Sequence, residues 1–179
     1  MSHAPGKTHG QHATALLTED HKAVKKLFKE FEKAEEDAQK DKLVKQICKE
    51  LSVHAQIEEE IFYPAARPAI KEQDLLDEAE EEHGGIKAVV EELKGMKPGD
   101  EHYDAKVKVL SEYVEHHVKE EQDELFPKIK KADIDTAELG AQLQERKQEL
   151  LDNPGLLKEA AAAPVAVPAK HRPAPAAPR

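Results

Sequence analysis

The chain has 179 residues, with 27 lysines and arginines against 37 aspartates and glutamates, which gives a formal net charge of −10. This length fits one domain, and no run approaches the ~20 apolar residues of a membrane span, which excludes a transmembrane protein. The acidic balance argues against nucleic acid as the main partner, and a single cysteine, Cys48, excludes a disulfide framework and a cysteine-rich zinc site.

The predicted elements are helices joined by short connections. Residues 1–12 are polar and show no secretory signal, so we expect a flexible N-terminus on a soluble, cytoplasmic domain. Four long helices follow, at residues 14–37, 41–63, 72–96 and 101–131. A fifth helix, about 136–152, begins at Asp135, with Glu138 placed for a capping box.

Short connections between long helices predict antiparallel neighbours. The expected fold is therefore all-α, an up-down-up-down four-helix bundle with an additional C-terminal helix. We assign residues 13–152 to this domain. Residues 153–179 are rich in alanine and proline, which favours a disordered tail.

Two short motifs recur along the chain at nearly the same spacing. An acidic residue followed by histidine is found at 20–21 and again at 82–83, 62 residues later. A His-x-x-x-Glu motif is found at 54–58 and again at 117–121, 63 residues later. This spacing predicts two similar helical hairpins that are related by a pseudo-twofold axis.

The helical register places the repeated histidines and glutamates in apolar stripes rather than on charged faces. In the first helix, for example, His21 lies between Leu17 and Val24 at the spacing of a buried face. His116 and Glu120 form another His-x-x-x-Glu, but they lie about 100° around the helix from the stripe. The register therefore selects six inward residues: His21, His54, Glu58, His83, His117 and Glu121.

Six polar groups in a bundle core require partners. An unpaired buried group costs about 1–3 kcal/mol, so six would cost about 6–18 kcal/mol, as much as the whole stability of a domain. A hydrogen-bonded network or a bound metal would satisfy them, and the pseudo-symmetric arrangement favours a metal. Mixed imidazole and carboxylate ligands in a helical bundle are typical of di-iron or di-manganese centres, rather than of calcium, magnesium or structural zinc.

In such a centre two histidines would hold each ion, and Glu58 and Glu121 would bridge the pair. An oxo or hydroxo bridge would offset part of the remaining positive charge. Asp20 and Glu82 occupy equivalent repeat positions, so each is either an acceptor for a ligand histidine or part of the solvated helix face.

Over residues 14–131 the chain resembles hemerythrin-like proteins with an HHE cation-binding domain, through the motifs at 20–21, 54–58, 82–83 and 117–121. The resemblance implies a non-haem di-iron centre in a four-helix bundle, with the six inward residues as ligands, and makes manganese less expected. Oxygen-carrying hemerythrins have a second histidine four residues after the third-helix ligand, where this chain has Lys87. The pattern is closer to bacterial HHE proteins and to di-iron proteins linked to iron–sulfur repair.

The missing histidine disfavours pure oxygen carriage. We expect a small diatomic ligand or peroxide as the partner, with binding or redox processing of oxygen, peroxide or nitric oxide, and a catalase-like activity in oxidative or nitrosative stress. The alternative is an iron-storage or iron- and oxygen-sensing module without turnover, and a metal-free interaction domain is the third hypothesis.

Four further features leave structural or functional interpretations open. Gly84 and Gly85 either open a channel beside His83 or allow close helix packing or a local kink. Tyr113, one turn before His117, is expected to be a core residue with its hydroxyl at the edge, and the alternative is a hydrogen-bond donor or occasional ligand at the metal. Tyr63 is expected only to pack at a helix end, and Cys48 to be a small buried thiol.

Overall fold

A computed structural model describes residues 11–158, and this part of the chain contains helices and no strand. The helices are α1 Ala13–Lys33, α2 Asp37–Ile57, α3 Tyr63–Ala66, α4 Gln73–Lys94, α5 Tyr103–Glu120, α6 Phe126–Lys131 and α7 Thr136–Asp152. Two π turns, Glu58–Phe62 and Glu121–Leu125, join α2 to α3 and α5 to α6, and a 3₁₀ turn follows at Pro154–Leu156. Within these residues, no helix has the length and apolar character to cross a membrane.

The four long helices form a closed bundle. Helix α1 packs against α2 and α5, and α4 packs against the same two helices on the opposite side. Helix α7 lies outside this ring, against α1, α2 and the first π turn. The predicted all-α four-helix bundle with an additional C-terminal helix is confirmed.

The sequence predicts a break between the first two helices near residues 37–41, but the structure places it at residues 34–36. Helix α1 ends at Lys33, and α2 begins at Asp37. Ala34 and Glu36 adopt extended backbone angles without glycine or proline, and Ala34 is buried in the core. Ala34 therefore attaches this turn to the core, and Asp37 in the first turn of α2 suits the positive end of the helix dipole.

The second helix does not end before Pro64, as the sequence predicted, but continues through α3. A proline within an α-helix removes a hydrogen bond and its ring collides with the preceding turn. Here the wider π turn precedes it, with the Tyr63 N–H bonded to the Glu58 carbonyl. Pro127 follows the second π turn in the same way.

The fifth helix starts as predicted, because the Asp135 carboxylate accepts hydrogen bonds from the N–H groups of Ala137 and Glu138. After α7 the chain returns to the bundle, where the Gln56 amide donates to the Leu156 carbonyl and accepts from the Lys158 N–H. The remainder of the predicted tail, and nearly all of the predicted flexible N-terminus, lie outside the described residues.

The core is divided into two apolar clusters. One contains Val24, Leu51, Ile86 and Val114, and the other contains Leu17 with apolar residues of α3, α6 and α7. Each of the four inward histidines lies along its helix at the boundary between these clusters. The bundle therefore places a polar layer between two dry layers.

Candidate metal centre

The structure brings all six predicted site residues together in the bundle interior. Their exposed fractions range from 0% for Glu58 to 7% for His54. Helices α1, α2, α4 and α5 each contribute one histidine, and each π turn begins with one of the glutamates. The buried layer therefore consists of four imidazoles and two carboxylates.

The histidines form two pairs, each within one helical hairpin. The Nε2 atoms of His21 and His54 are 3.1 Å apart, and those of His83 and His117 are also 3.1 Å apart. All four rings thus direct Nε2 toward the interior. When Nδ1 of each ring holds the hydrogen, both facing Nε2 atoms have lone pairs that can bind a cation.

Each carboxylate connects the two histidine pairs. Glu58 Oε2 lies 3.2 Å from Nε2 of both His54 and His83. Glu121 Oε2 lies 3.3 Å from Nε2 of His21 and 3.6 Å from that of His117. The arrangement has the pseudo-twofold symmetry that the sequence repeat predicted.

Two carboxylate oxygens lack a hydrogen-bond partner among the described residues. These atoms, Glu58 Oε1 and Glu121 Oε2, are fully buried. An unpaired buried acceptor costs about 1–3 kcal/mol, and more when it is charged. A cation at the centre would remove this cost, so the donor set fits a metal on chemical grounds.

The Nδ1 atoms of the same histidines face outward onto polar side chains. His54 Nδ1 lies 3.4 Å from Asp20, and His117 Nδ1 lies 2.9 Å from Glu82. Each acid therefore contacts the histidine of the neighbouring helix, rather than the histidine that follows it in sequence. Such contacts fix the ring orientation and the tautomer of a metal-binding histidine.

Sequence reasoning missed the outer partners of the other two histidines. His83 Nδ1 lies 3.0 Å from Glu59, and His21 Nδ1 lies 3.0 Å from the Gln122 amide. Glu59 and Gln122 directly follow the two buried glutamates, 63 residues apart. Extending the repeat comparison by one residue beyond each His-x-x-x-Glu would have found them.

Tyr63 belongs to the site, and the expectation that it only packs was wrong. Its hydroxyl donates to Glu121 Oε1 at 2.9 Å and lies 3.3 Å from His83 Nε2. Burial, reinforced by the Glu121 carboxylate, raises the pKa of Tyr63 well above its usual value, so the phenol keeps its proton. The equivalent residue of the second half, Phe126, instead stacks on His21 with ring centroids 5.9 Å apart.

Burial and the carboxylates have opposite effects on the histidines. Burial lowers the pKa of His21. For His54 and His83 burial also acts downward, but the neighbouring carboxylates together outweigh it, chiefly Glu58 with Asp20 at His54 and Glu58 with Glu59 at His83. They raise the two pKa values to about 10 and about 9. Burial would raise the pKa of Glu58, yet the two neighbouring imidazoles hold it well below its usual range. The centre is therefore built around an ionised carboxylate that attracts positive charge.

Lys87 occupies the position where oxygen-carrying hemerythrins have a histidine, and it does not contact the centre. Its ammonium group binds both oxygens of Glu59, at 2.5 and 2.6 Å. Through Glu59 it supports His83 from outside. Lys87 thus helps to orient His83 through Glu59, and it does not supply a further imidazole to the centre.

A small cavity adjoins the histidines. Its volume of about 20 Å³ is room for one small molecule. Its walls are mostly apolar and come from the four long helices. Besides Asp20 and the four histidines, they are formed by Val24, Leu51, Ala55, Ile86, Val114 and Val118.

Neither a channel beside His83 nor close helix packing accounts for the two consecutive glycines of α4. A Cβ at Gly84 would have no described atom within 4 Å, and one at Gly85 would only touch the Tyr113 ring at 3.9 Å. Close packing therefore does not require them. The cavity beside the histidines is lined by other residues, so they do not form its wall either.

Comparisons with known proteins agree with this architecture. A family model described as "Hemerythrin HHE cation binding domain" matches residues 12–129. The crystal structure of a protein from Mycobacterium kansasii that contains this domain has a TM-score of 0.66 at 23% identity, covering 82% of this chain and 93% of that one. A protein named DNA nickase from Nostoc sp. is 32% identical over 115 residues, or 64% of this chain, which spans about a third (32%) of that relative's length.

Proposed function

The chain belongs to the hemerythrin HHE cation-binding domain family, and we propose that it holds two non-haem iron ions that bind or redox-process oxygen, peroxide or nitric oxide. The proposed ligands are His21, His54, Glu58, His83, His117 and Glu121. One observation carries this assignment, namely that each inward carboxylate lies between Nε2 atoms from both histidine pairs.

Two overlapping ligand groups support a pair of ions rather than one. Potential ligand atoms of His21, His54, Glu58 and Glu121 lie within 4.8 Å of one another, and so do those of Glu58, His83 and His117. Glu58 is common to both groups, as expected of a bridging carboxylate. Imidazole with carboxylate suits iron, and manganese less well because it prefers oxygen ligands.

Iron would supply reversible ligand binding and electron transfer, while the chain's own residues determine what reaches the site. The outer contacts of Asp20, Glu59 and Glu82 hold the histidine rings in place. Tyr63 holds its proton at Oη and directs it to Glu121. These contacts preorganise the ligands before an ion arrives.

The cavity beside the four histidines favours a small, uncharged ligand. Its apolar walls disfavour charged substrates, and its size excludes all but molecules of a few atoms. Oxygen, nitric oxide and hydrogen peroxide meet both conditions. Larger organic substrates do not.

DNA nicking is not part of this proposal. The similarity to the protein of that name covers only a third of its length. The formal charge of −10 also opposes binding to a phosphate backbone.

The proposal is tested by anaerobic reconstitution of the purified chain with Fe²⁺, followed by metal analysis and addition of peroxide. After loosely bound Fe²⁺ is removed on a desalting column, we expect about two irons per chain, together with sustained oxygen evolution at a low ratio of protein to peroxide. A stoichiometric colour change without turnover would instead support ligand binding or sensing. Less than one iron per two chains would refute the metal centre.

A matched pair of histidine variants makes the test specific. His54→Ala removes an inward imidazole, whereas His102→Ala removes an exposed one. Only the first should reduce the iron content. Equal loss of iron in both variants would contradict the assignment.

A further inference from the structure

A second cluster of potential ligands lies beside the centre. His116 Nε2 is 3.1 Å from Glu82 Oε1 and 3.2 Å from Glu120 Oε1. These side chains are partly exposed, from 17% for Glu82 to 40% for His116. One imidazole and two carboxylates with ligand atoms within 4.8 Å of one another can hold a divalent cation that has access to solvent.

The internal repeat shows that this cluster belongs to one half of the molecule only. The residues equivalent to His116 and Glu120, 63 positions earlier, are Val53 and Ile57, which are 1% and 0% exposed. They are buried in the apolar cluster that includes Leu143 and Leu150 of α7. Helix α7 thus covers this surface in the first half, and the second half has polar ligands at the same positions.

In the first half of the repeat, the acid equivalent to Glu82 is already paired with the ammonium group of a lysine. Asp20, the equivalent of Glu82, contacts the ammonium group of Lys147 from α7 while it also bonds to His54. Glu82 bonds to His117 in the same manner, but its second oxygen faces His116. A metal ion beside Glu82 would take the position that the lysine charge takes beside Asp20.

A small cavity leads from this cluster toward the centre. It is lined by Glu82, Glu120 and Glu121, with apolar walls from Leu75, Ala79 and Leu125. Glu121 is 2% exposed, and its Oε2 lacks a hydrogen-bond partner within residues 11–158. The cavity therefore connects two partly exposed carboxylates to the buried carboxylate assigned above to the central site.

We propose that Glu82, His116 and Glu120 form a third divalent-cation site, which captures Fe²⁺ from solvent and passes it to Glu121. This inference rests on the proposed di-iron function. Carboxylates concentrate cations at the opening, and the imidazole provides selectivity for iron over calcium and magnesium.

Fe²⁺ alone is the probe, in anaerobic equilibrium dialysis against the full-length chain. At saturating Fe²⁺ we expect one ion more in the wild type than in the His116→Ala and Glu120→Gln variants, with the two central ions retained in all three. Glu101→Gln makes the same charge change beyond the other end of α5, at an exposed side chain, and should behave as wild type. Identical stoichiometry in all four proteins would overturn the third site.

The rate of loading tests the transfer role. After Fe²⁺ is mixed with the metal-free protein and quenched with a chelator, we expect His116→Ala to fill the centre about tenfold more slowly, with the same final content. Wild-type loading rates in this variant would overturn the inference and leave the proposed function intact. A wild type that never retains two central ions, yet still binds a His116-dependent ion, would refute the proposed function and retain the third site.

Discussion

Tyr63 donates its hydroxyl hydrogen to Glu121 across the bundle, at 2.9 Å. Tyr63 follows the π turn of the first hairpin, and Glu121 begins the π turn of the second hairpin. The two halves of the repeat are thus joined at the centre by a bond within the protein. This bond keeps one carboxylate oriented whether or not an ion is bound.

Tyr63→Phe should destabilise the metal-free protein by about 1–3 kcal/mol. The variant fills the same space but leaves Glu121 Oε1 buried without its donor. Urea unfolding of metal-free wild type and variant measures the change. Tyr113→Phe is the matched control, because within residues 11–158 the Tyr113 hydroxyl makes no hydrogen bond; equal stability in all three proteins would contradict the role of Tyr63.

Glu58→Ala and Glu121→Ala should each lower the iron content and the melting temperature together. Ligand binding stabilises only the folded chain, by about 3 kcal/mol when free iron exceeds Kd 100-fold, so loss of a bridging ligand removes both. Metal analysis and thermal unfolding with and without Fe²⁺ measure the two effects. Glu112→Gln, at an exposed position of α5, is the control.

The outcome separates a bridging role from a structural one. A variant that unfolds at the wild-type temperature and keeps its full iron would show that the carboxylate is not a ligand. A variant that loses stability equally with and without iron would show that the carboxylate serves the apoprotein only.

The sequence allowed the fold and six inward residues to be predicted because burial imposes a helical period. His83, for example, lies between Ala79 and Ile86, at the spacing of a buried face, and the structure places all three in the interior. The repeat then indicated that the two hairpins face each other. The ligand roles of these residues remain predictions until an ion is measured.

The contribution of Tyr63 could not be predicted, because the π turn changes the period locally. An uninterrupted α-helix would place Phe62, four residues after Glu58, on the inward stripe. The π turn adds a residue, so both Phe62 and Tyr63 are 0% exposed, and Tyr63 reaches the carboxylates. Nothing in the local composition marks this insertion except the proline that follows it.

Cys48 should react with thiol reagents only at high pH or after unfolding. Burial raises the pKa of its thiol to about 11, so at pH 8 the folded chain has about 100-fold less thiolate than an unfolded one. The thiol also ionises at a lower pH in the unfolded chain than in the folded chain. The free energy of unfolding should therefore fall as the pH rises from 9 toward 11. Labelling rates in buffer and in urea from pH 8 to 11 test this prediction, and equal rates at pH 8 would refute it.

Two glycine-to-alanine substitutions should change stability in opposite directions. Gly84→Ala should raise the free energy of unfolding by about 1 kcal/mol, because its Cβ would meet no described atom within 4 Å and alanine favours the helix. Gly140→Ala should lower it by about 1–3 kcal/mol, because its Cβ would lie 1.9 Å from the Gln11 carbonyl oxygen, where α7 crosses the start of α1. Since both variants add one methyl group to a helical glycine, urea unfolding of the metal-free proteins isolates the surroundings as the cause. A Gly140→Ala variant as stable as the wild type would mean that α7 is not held this close to the start of α1. Helix α7 would then cover the first half of the repeat less tightly than the structure shows.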